Sequence, residues 1–259
     1  MDVVPGIRAD DERRRELGAL MEARGVDAGL ARELARRALW ITDKTHRNYP
    51  TLSPEWPSSN PGGYQLWFAS RMTATSGLRV LAEAQVDPAP IYRSKTPLQQ
   101  CVQLFKRHRD IMFTDNCDAK PASIILTTVA GLAYRHGESL ADTMSRTLDA
   151  LEQVRASDTN EILNPVNSKE NFADRWARPD CAHLLLKHNF HKWIAQARRD
   201  FGEVLQDAKP QRIVEVASDA LGVTLSEAVR QRLGVPSPAP SIRRVAIAAD
   251  PPRPWLENR

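Results

Sequence analysis

Cysteine is scarce in this sequence: Cys101, Cys117 and Cys181 are the only three in 259 residues. An odd number at wide spacing does not suit a disulfide framework and reads as free thiols in a reducing compartment. Long apolar runs are missing as well. Nothing approaches the roughly 20 residues of a membrane span, and the N-terminus lacks the basic-then-apolar layout of a secretory signal. These absences lead to the expectation of an intracellular, cytoplasmic chain with no membrane partner. Several signatures of common enzymes are absent too: there is no G-x-x-x-x-G-K-[ST] loop, no G-x-G-x-x-G after a strand, no G-x-S-x-G elbow and no H-E-x-x-H helix. The usual warrants for P-loop, dinucleotide-binding, α/β-hydrolase and zinc-protease chemistry are therefore lost. No internal repeat is visible.

What remains is an ordinary globular composition. The chain is 42% apolar and long enough to bury a core without staples. Its formal charge of +4 is compatible with polyanionic ligands but mild for a dedicated nucleic-acid binder. The basic residues Lys106, Arg107, His108 and Arg109 fall together, and Arg198 and Arg199 form a second cluster.

Along the chain, Val3 and Val4 read as a short strand ending in a turn at Pro5-Gly6. Helices follow over Asp10 to Ala23 and Asp27 to Leu39, the first with acidic residues at its positive end. Ala38 to Thr42 reads as a second short strand. From Asp43 to Gly63, Pro50, Pro54, Pro57 and Pro61 block regular helix, and Tyr64 to Met72 turns helical.

The best-specified helix begins after Thr96, an N-cap, with Pro97 at the first position and Leu98, Cys101, Val102, Phe105 and Met112 as its buried stripe. Lys106 and Arg109 fall off that stripe and are expected to present charge elsewhere. Pro121 opens a helix that is apolar nearly all round, Ala122 to Tyr134, with Ser123 in its first turn. Ser139 and Asp142 cap the next, which runs to about Arg155. Asn164 to Asn167 is a turn. Asn171 to Trp176, His183 to Phe201, Gln211 to Ala220 and Ser226 to Arg232 read as helical, and a Pro-rich tail follows Val235.

Cys181, His183, His188 and His191 are of zinc-ligand type. On a continuous helix Cys181, His188 and His191 share a face. A partly exposed polar face beside Trp193 is the stronger reading. The remaining chemistry-bearing residues form a discontinuous set: Asp2 on a strand, the loop Trp56 to Tyr64, Lys106 on one helix and Ser123 at the start of another.

In that order these segments resemble the bacterial relatives of cyclic GMP-AMP synthase, the CD-NTase nucleotidyltransferases that make cyclic oligonucleotide second messengers in anti-phage defence. Met1 to Ile7 (MDVVPGI) resembles the strand with the family's third metal-binding aspartate. Trp56 to Met72 (WPSSNPGGYQLWFASRM) resembles its W-x-x-S-N-P-x-G-Y-x-x-W-F stretch. Pro97 to Phe113 (PLQQCVQLFKRHRDIMF) and Lys120 to Thr128 (KPASIILTT) resemble the helices whose lysine and serine contact a nucleoside triphosphate. Asn164 to Trp176 (NPVNSKENFADRW) resembles a later element. The resemblance spans about residues 1 to 200.

It implies an α+β, mostly helical fold: a remnant of a polymerase-β-like nucleotidyltransferase sheet plus a C-terminal helical domain. The implied organisation is a partial nucleotidyltransferase core over residues 1–75, a helical nucleotide-binding domain over 76–234 and a flexible tail over 235–259. It implies a metal-ligating, catalytic role for Asp2 with Mg2+ (or Mn2+), since carboxylates hold the ions that neutralise a triphosphate. It implies nucleotide contacts from Lys106, Ser123, Asn60 and Tyr64, with ATP or GTP as substrates and a downstream effector that reads the product. The ordinary alternatives are a solvated basic face for Lys106, helix capping for Ser123 and core packing for Tyr64.

The sequence departs from the family pattern in one respect. The glycine-serine phosphate loop and the D-x-D strand that precede the third acid in the family are not in it, and Asp10-Asp11 cannot replace them because they open a helix. The expectation is thus a fragment inactive in these 259 residues. Two alternatives stay open: a non-catalytic nucleotide- or partner-binding protein, and a basic helical nucleic-acid binder, although direct nucleic-acid binding is not the expected role.

Overall fold

The computed structural model describes residues 6–41, 51, 56–73, 95–206 and 209–235. Asp2, the expected strand at Val3-Val4, most of the Pro-rich loop and all but the first residue of the expected tail lie outside the described residues. The described chain is mostly helical, with two small antiparallel sheets.

Strand β1 (Gly6–Arg8) pairs antiparallel with β2 (Leu39–Ile41), and β2 with β3 (Ser58–Ser59), in the order β1-β2-β3. Gly6, expected in a turn, instead lies in the strand opposite Ile41. Helices α1 (Asp11–Glu22) and α2 (Ala28–Ala35) separate β1 from β2 and pack on each other. Each starts on an aspartate that satisfies an orphan amide: Asp10 accepts from Arg13 N–H and Asp27 from Leu30 N–H. Helix α2 stops at Ala35, short of Leu39, because Leu39 pairs with Arg8 and Ser59 as strand. Helix α3 (Pro61–Met72) begins three residues before the expected Tyr64. Pro61 sits at its first position, where a missing N–H costs nothing, so this proline starts a helix instead of blocking one. Leu17, Met21, Leu34, Trp40, Leu66 and Trp67 form one core around these elements.

The larger core lies among four helices: α4 (Pro97–Met112), α5 (Ser123–Ala133), α6 (Leu140–Ala156) and α7 (Leu186–Gln206). Helix α4 opens with a complete capping box from Thr96 and Gln99, and Leu98, Cys101, Val102 and Phe105 are buried on its inner face. Helix α5 is the central element: Ile125 through Gly131 are all buried. Around it pack Phe105, Leu151, Phe190, Trp193 and Ile194, all fully enclosed. A hairpin of β4 (Leu163–Asn164) and β5 (Asn167–Asn171) follows α6, with the Asn164 side chain closing its turn onto the Val166 N–H. Asn171 to Trp176 is not a helix: β5 runs through Asn171, and only Asp174–Trp176 makes a single tight turn. After α7 come α8 (Pro210–Glu215), a widened turn at Val216–Ala220 and α9 (Glu227–Arg232).

Two expectations about charge are corrected. Arg109 does not present its charge outward; it is 4% exposed, held by the Pro121 carbonyl and Asp110. His108 is 2% exposed, inside the core against Trp193 and Phe201. The stretch Lys106 to Arg109 is therefore no surface patch. The helix expected over His183 to Phe201 is also broken, since Leu185 takes φ 50° between the tight turns Pro179–Leu184 and α7. Cys181 is buried in those turns, off the helix that carries His188 and His191.

One glycine joins the two cores. A Cβ on Gly131 would stand 2.7 Å from the Trp67 ring, so α5 and α3 approach this closely only with no side chain there. Gly131→Ala is expected to cost about 1–3 kcal/mol through overpacking, despite alanine's better helix propensity. Chemical denaturation should show the midpoint falling in proportion.

Candidate functional site

The candidate site is built at the corner where α4 hands over to α5. Pro121 and Ala122 precede α5, and no side chain caps its start. Ser123 thus sits among first-turn amides at the positive end of an 11-residue helix. Its own carbonyl accepts from the Thr127 hydroxyl at 2.9 Å. The corner is stitched from the α4 side. Arg109 Nη1 donates to the Pro121 carbonyl at 3.0 Å, and Asp110 Oδ1 accepts from Arg109 Nη2 at 2.7 Å and from Lys120 Nζ at 3.0 Å. Burial works against the Asp110 charge, but the two cations outweigh it and hold its carboxyl below the usual range.

Lys106 lies one turn before Asp110 on α4. It is half-buried and makes no hydrogen bond or salt bridge among the described residues. Burial, then the neighbouring Arg109 charge, pushes its pKa down, with Asp110 opposing. An ammonium that is partly desolvated and beside another cation is short of negative charge. An incoming anion would supply it.

Tyr64 reaches the same helix from α3. Its hydroxyl and that of Thr128 share a hydrogen bond of 2.9 Å, and its ring stands edge-on to Phe172 at 5.7 Å and beside Trp67 at 5.3 Å. Burial raises its pKa to about 12, so the phenol stays neutral. Asn60 is placed differently. It is fully buried, with Nδ2 donating to the Leu34 carbonyl at 2.9 Å and Oδ1 accepting from the Gly63 N–H at 2.9 Å. A Cβ on Gly63 would collide with that amide, which accounts for the glycine in N-P-G-G. Helix α5 therefore carries Ser123 and meets Tyr64 through Thr128, Asn60 holds the loop that delivers Tyr64, and Lys106 stands on α4 one turn before the residues that hold the corner ahead of α5. Asp2 lies outside the described residues.

Two features escape the sequence reading. Arg13, in the run Arg13-Arg14-Arg15, is 5% exposed. Its Nη2 donates to Ser58 Oγ at 2.7 Å and to Asn167 Oδ1 at 3.2 Å, and its Nη1 to Glu16 at 2.6 Å, with Trp40 beneath the guanidinium at 5.9 Å. Asn167 Nδ2 in turn donates to the Ser58 carbonyl at 2.8 Å. One arginine thereby ties α1, the Ser58 strand and the β4-β5 hairpin. The available signal was spacing: Arg13, Leu17 and Met21 lie on one helix face, and the latter two are core. Beside this node opens a cavity of about 710 Å³, lined among others by Trp40, Trp56, Lys169, Glu170 and Asp174.

Among the described residues, no group of three or more His, Cys, Asp or Glu side chains is placed to hold a metal ion. Nor is any helix among them long and apolar enough to cross a membrane.

No family model matches the sequence. The chain is 38% identical over 128 residues to a c-di-GMP synthase of Roseivirga ehrenbergii, an alignment covering 47% of this chain and 34% of that protein. It is 30% identical over 122 residues to the cyclic dinucleotide synthase CdnG of Bradyrhizobium diazoefficiens, covering 42% and 28% respectively. The chain thus spans about a third of the length of the curated relatives it matches. A solved structure of the Bradyrhizobium diazoefficiens CD-NTase CdnG in complex with GTP aligns over 70% of this chain and 56% of its own, at 19% identity and a TM-score of 0.47. Over the part of its length that these relatives match, the chain is similar in sequence to cyclic dinucleotide synthases.

Proposed function

We propose that this chain carries the triphosphate-holding helical part of a nucleotidyltransferase that joins nucleoside triphosphates into cyclic oligonucleotides for antiviral signalling. The observation that carries the reading is Lys106: a half-buried ammonium with no ion pair among the described residues, one turn before the Arg109–Asp110 pair that holds Pro121 and Lys120 just ahead of the uncapped start of α5. Lys106 acts as a point charge on the outer phosphates, and the Ser123 hydroxyl donates beside it with the first-turn amides of α5. The Arg109–Asp110–Lys120 stitch keeps the corner rigid, so little ordering cost is left for binding. Tyr64, held by Asn60, walls the same helix. GTP is the first nucleotide to test, since the two relatives are named a c-di-GMP synthase and a cyclic dinucleotide synthase; ATP is the second. The product is read by a downstream effector.

Magnesium belongs to this proposal through Asp2 alone. When bound, the ion would neutralise phosphate charge and acidify the attacking hydroxyl. Because the glycine-serine loop and D-x-D pair are not in these 259 residues, the chain by itself binds triphosphate without joining it. The basic nucleic-acid reading is weakened, since two of the four residues of its patch, His108 and Arg109, are buried.

The test is a titration of the 259-residue chain with GTP and magnesium, followed by thermal shift and calorimetry. Binding is expected to raise the melting temperature. Lys106→Ala should weaken binding roughly tenfold to a hundredfold, the range for a hydrogen bond to a charged group. No oligonucleotide product is expected from this chain alone. Binding unaffected by Lys106→Ala sinks the assignment, and product formation by the chain alone would overturn its inactivity.

A further inference from the structure

The corner ahead of α5 carries a second lysine, and its charge is held back. Lys120 comes three residues before Ser123, and its Nζ donates to Asp110 Oδ1 at 3.0 Å. That one oxygen also accepts from Arg109 Nη2 at 2.7 Å and from Arg109 Nε at 3.1 Å. Three donors from two cations therefore converge on a single acceptor, and they are not equally committed. Arg109 is 4% exposed, and its Nη1 holds the Pro121 carbonyl as well. The side chains of Lys120 and Asp110 are 34% and 42% exposed. An ion pair so open to water is weak, and a lysine ammonium swings easily on its four-carbon stem.

Releasing Lys120 leaves the corner standing. Arg109 still holds both Asp110 and the Pro121 carbonyl. The turn behind Lys120 is anchored from α7, where Asn189 Nδ2 donates to the Ala119 carbonyl at 3.2 Å and to the Leu184 carbonyl at 2.9 Å. The place of Asp110 matters equally. It follows Lys106 by four residues on α4, a spacing that puts the two side chains on one side of the helix. Lys120, paired with Asp110, is thereby brought toward Lys106. Two ammonium groups flank one carboxylate; Lys120 is paired with it, and Lys106 has no hydrogen bond or ion pair among the described residues.

We propose that Lys120 is a second phosphate-binding cation and that Asp110 is the anion it leaves: a triphosphate arriving at Lys106 draws the Lys120 ammonium off the carboxylate, which competes with the ligand for it. The phosphate chain carries more charge than one carboxylate and offers stronger acceptors to an ammonium. Asp110 thus keeps the corner internally neutralised until that charge arrives. The inference rests on the triphosphate reading and deepens it by adding a ligand residue and its competitor. It stands on residues other than Lys106, which allows the two to fail separately.

The experiment measures, by calorimetry on the full chain, affinities for GTP with magnesium and for inorganic tripolyphosphate, which carries no base. Lys120→Ala is expected to weaken both about tenfold, and Lys120→Arg to recover most of the loss. Asp110→Asn keeps an oxygen for Arg109 but removes the competing charge, and should tighten both about threefold or more. Opposite signs are the point: if the pair were only structural, breaking it from either side would weaken binding alike. At about 0.5 M salt the Lys120→Ala loss should persist, because a direct contact is screened less than a distant field. Thermal melts separate lost binding from lost fold, and if Asp110→Asn melts early, Lys120→Ala and its salt dependence decide alone. Weaker binding by an Asp110→Asn variant that melts like the parent overturns the proposal, as does binding unchanged by Lys120→Ala or a loss that vanishes in salt. A loss on Lys106→Ala would in those cases leave the triphosphate site standing on one lysine. Binding indifferent to both lysines removes the inference and the reading beneath it.

Discussion

Arg13→Ala is expected to cost about 3–5 kcal/mol of folding stability, the range for removing one partner of a buried, hydrogen-bonded charge network. The reason is what it leaves behind. Ser58 Oγ, Asn167 Oδ1 and Glu16 Oε2 all lose their arginine donor, which leaves Ser58 Oγ the Asn167 amide at 3.3 Å and Asn167 Oδ1 the Lys169 N–H at 3.4 Å, and the Trp40 ring loses the guanidinium on its face. Lys169 still pairs with Glu16, so the part of the loss at Glu16 is the smallest. Arg13→Lys should recover only a fraction, because a single ammonium cannot reproduce the fork that serves Ser58 and Asn167 together. Urea denaturation monitored by far-UV circular dichroism measures both variants. An Arg13→Ala loss under about 1 kcal/mol, the level of an exposed ion pair, would place the residue at the surface and refute the node.

The second large effect belongs to Trp193, and it depends on pH. Trp193 Nε1 donates to His108 Nδ1 at 3.0 Å, which requires Nδ1 to carry no proton. Its Nε2 then carries the proton and donates to Asp200 Oδ2, also at 3.0 Å. The imidazole is thus held neutral: protonating Nδ1 would set two N–H groups against each other. Burial lowers the His108 pKa below its ordinary 6.5, and Asp200 opposes the shift without cancelling it. Below pH 6.5 the unfolded chain therefore takes up a proton that the folded chain refuses. Stability from this group is full above that pH and declines as pH falls from 6.5 toward the folded value.

Half-buried His191, also lowered chiefly by burial, adds a smaller decline in the same window. The carboxylates with lowered values, Asp110 among them, act only further into acid. Glu170, raised, works the other way between its ordinary 4.5 and its folded value. Trp193→Phe removes the N–H donor and frees Nδ1 to take the proton, leaving an imidazolium paired with Asp200. The variant should lose about 2–4 kcal/mol near pH 8 from the cavity and the unpaired nitrogen. That loss should shrink as pH drops below 6.5, because the variant no longer refuses the proton. Melting temperatures of both proteins between pH 5 and pH 8 check it. Parallel curves would rule out the neutral, pinned imidazole.

Local chemistry in the sequence was sufficient where an element is specified by its own residues. Thr96, Pro97 and Gln99 define the start of α4, and the apolar stripe behind them defines its buried face. Ser139 and Asp142 do the same for α6. The nearly all-apolar run after Pro121 marks α5 as central, with Ser123 in its first turn. These signals are read within one or two helical turns, so no distant contact is needed to see them.

Partner choice across the chain is where local reading failed. Helical spacing puts Arg13 on the face of Leu17 and Met21, but not what it would meet there; it is buried because Ser58 and Asn167, 45 and 154 positions away, supply acceptors. His108 looked like one more charge in a basic run, yet Trp193 and Asp200 from α7 make it a neutral core residue. Pro61 looked like a helix blocker until the Asn60 cap, anchored on Leu34, made it a helix start. The sequence by itself determined the helices α4, α5 and α6 and the family resemblance, because hydrophobic periodicity and capping are short-range. The tertiary structure alone decided which cations are buried and paired and which, like Lys106, are left with charge to offer. The cost of burying a charge is set by what stands opposite it, and that neighbour comes from elsewhere in the chain.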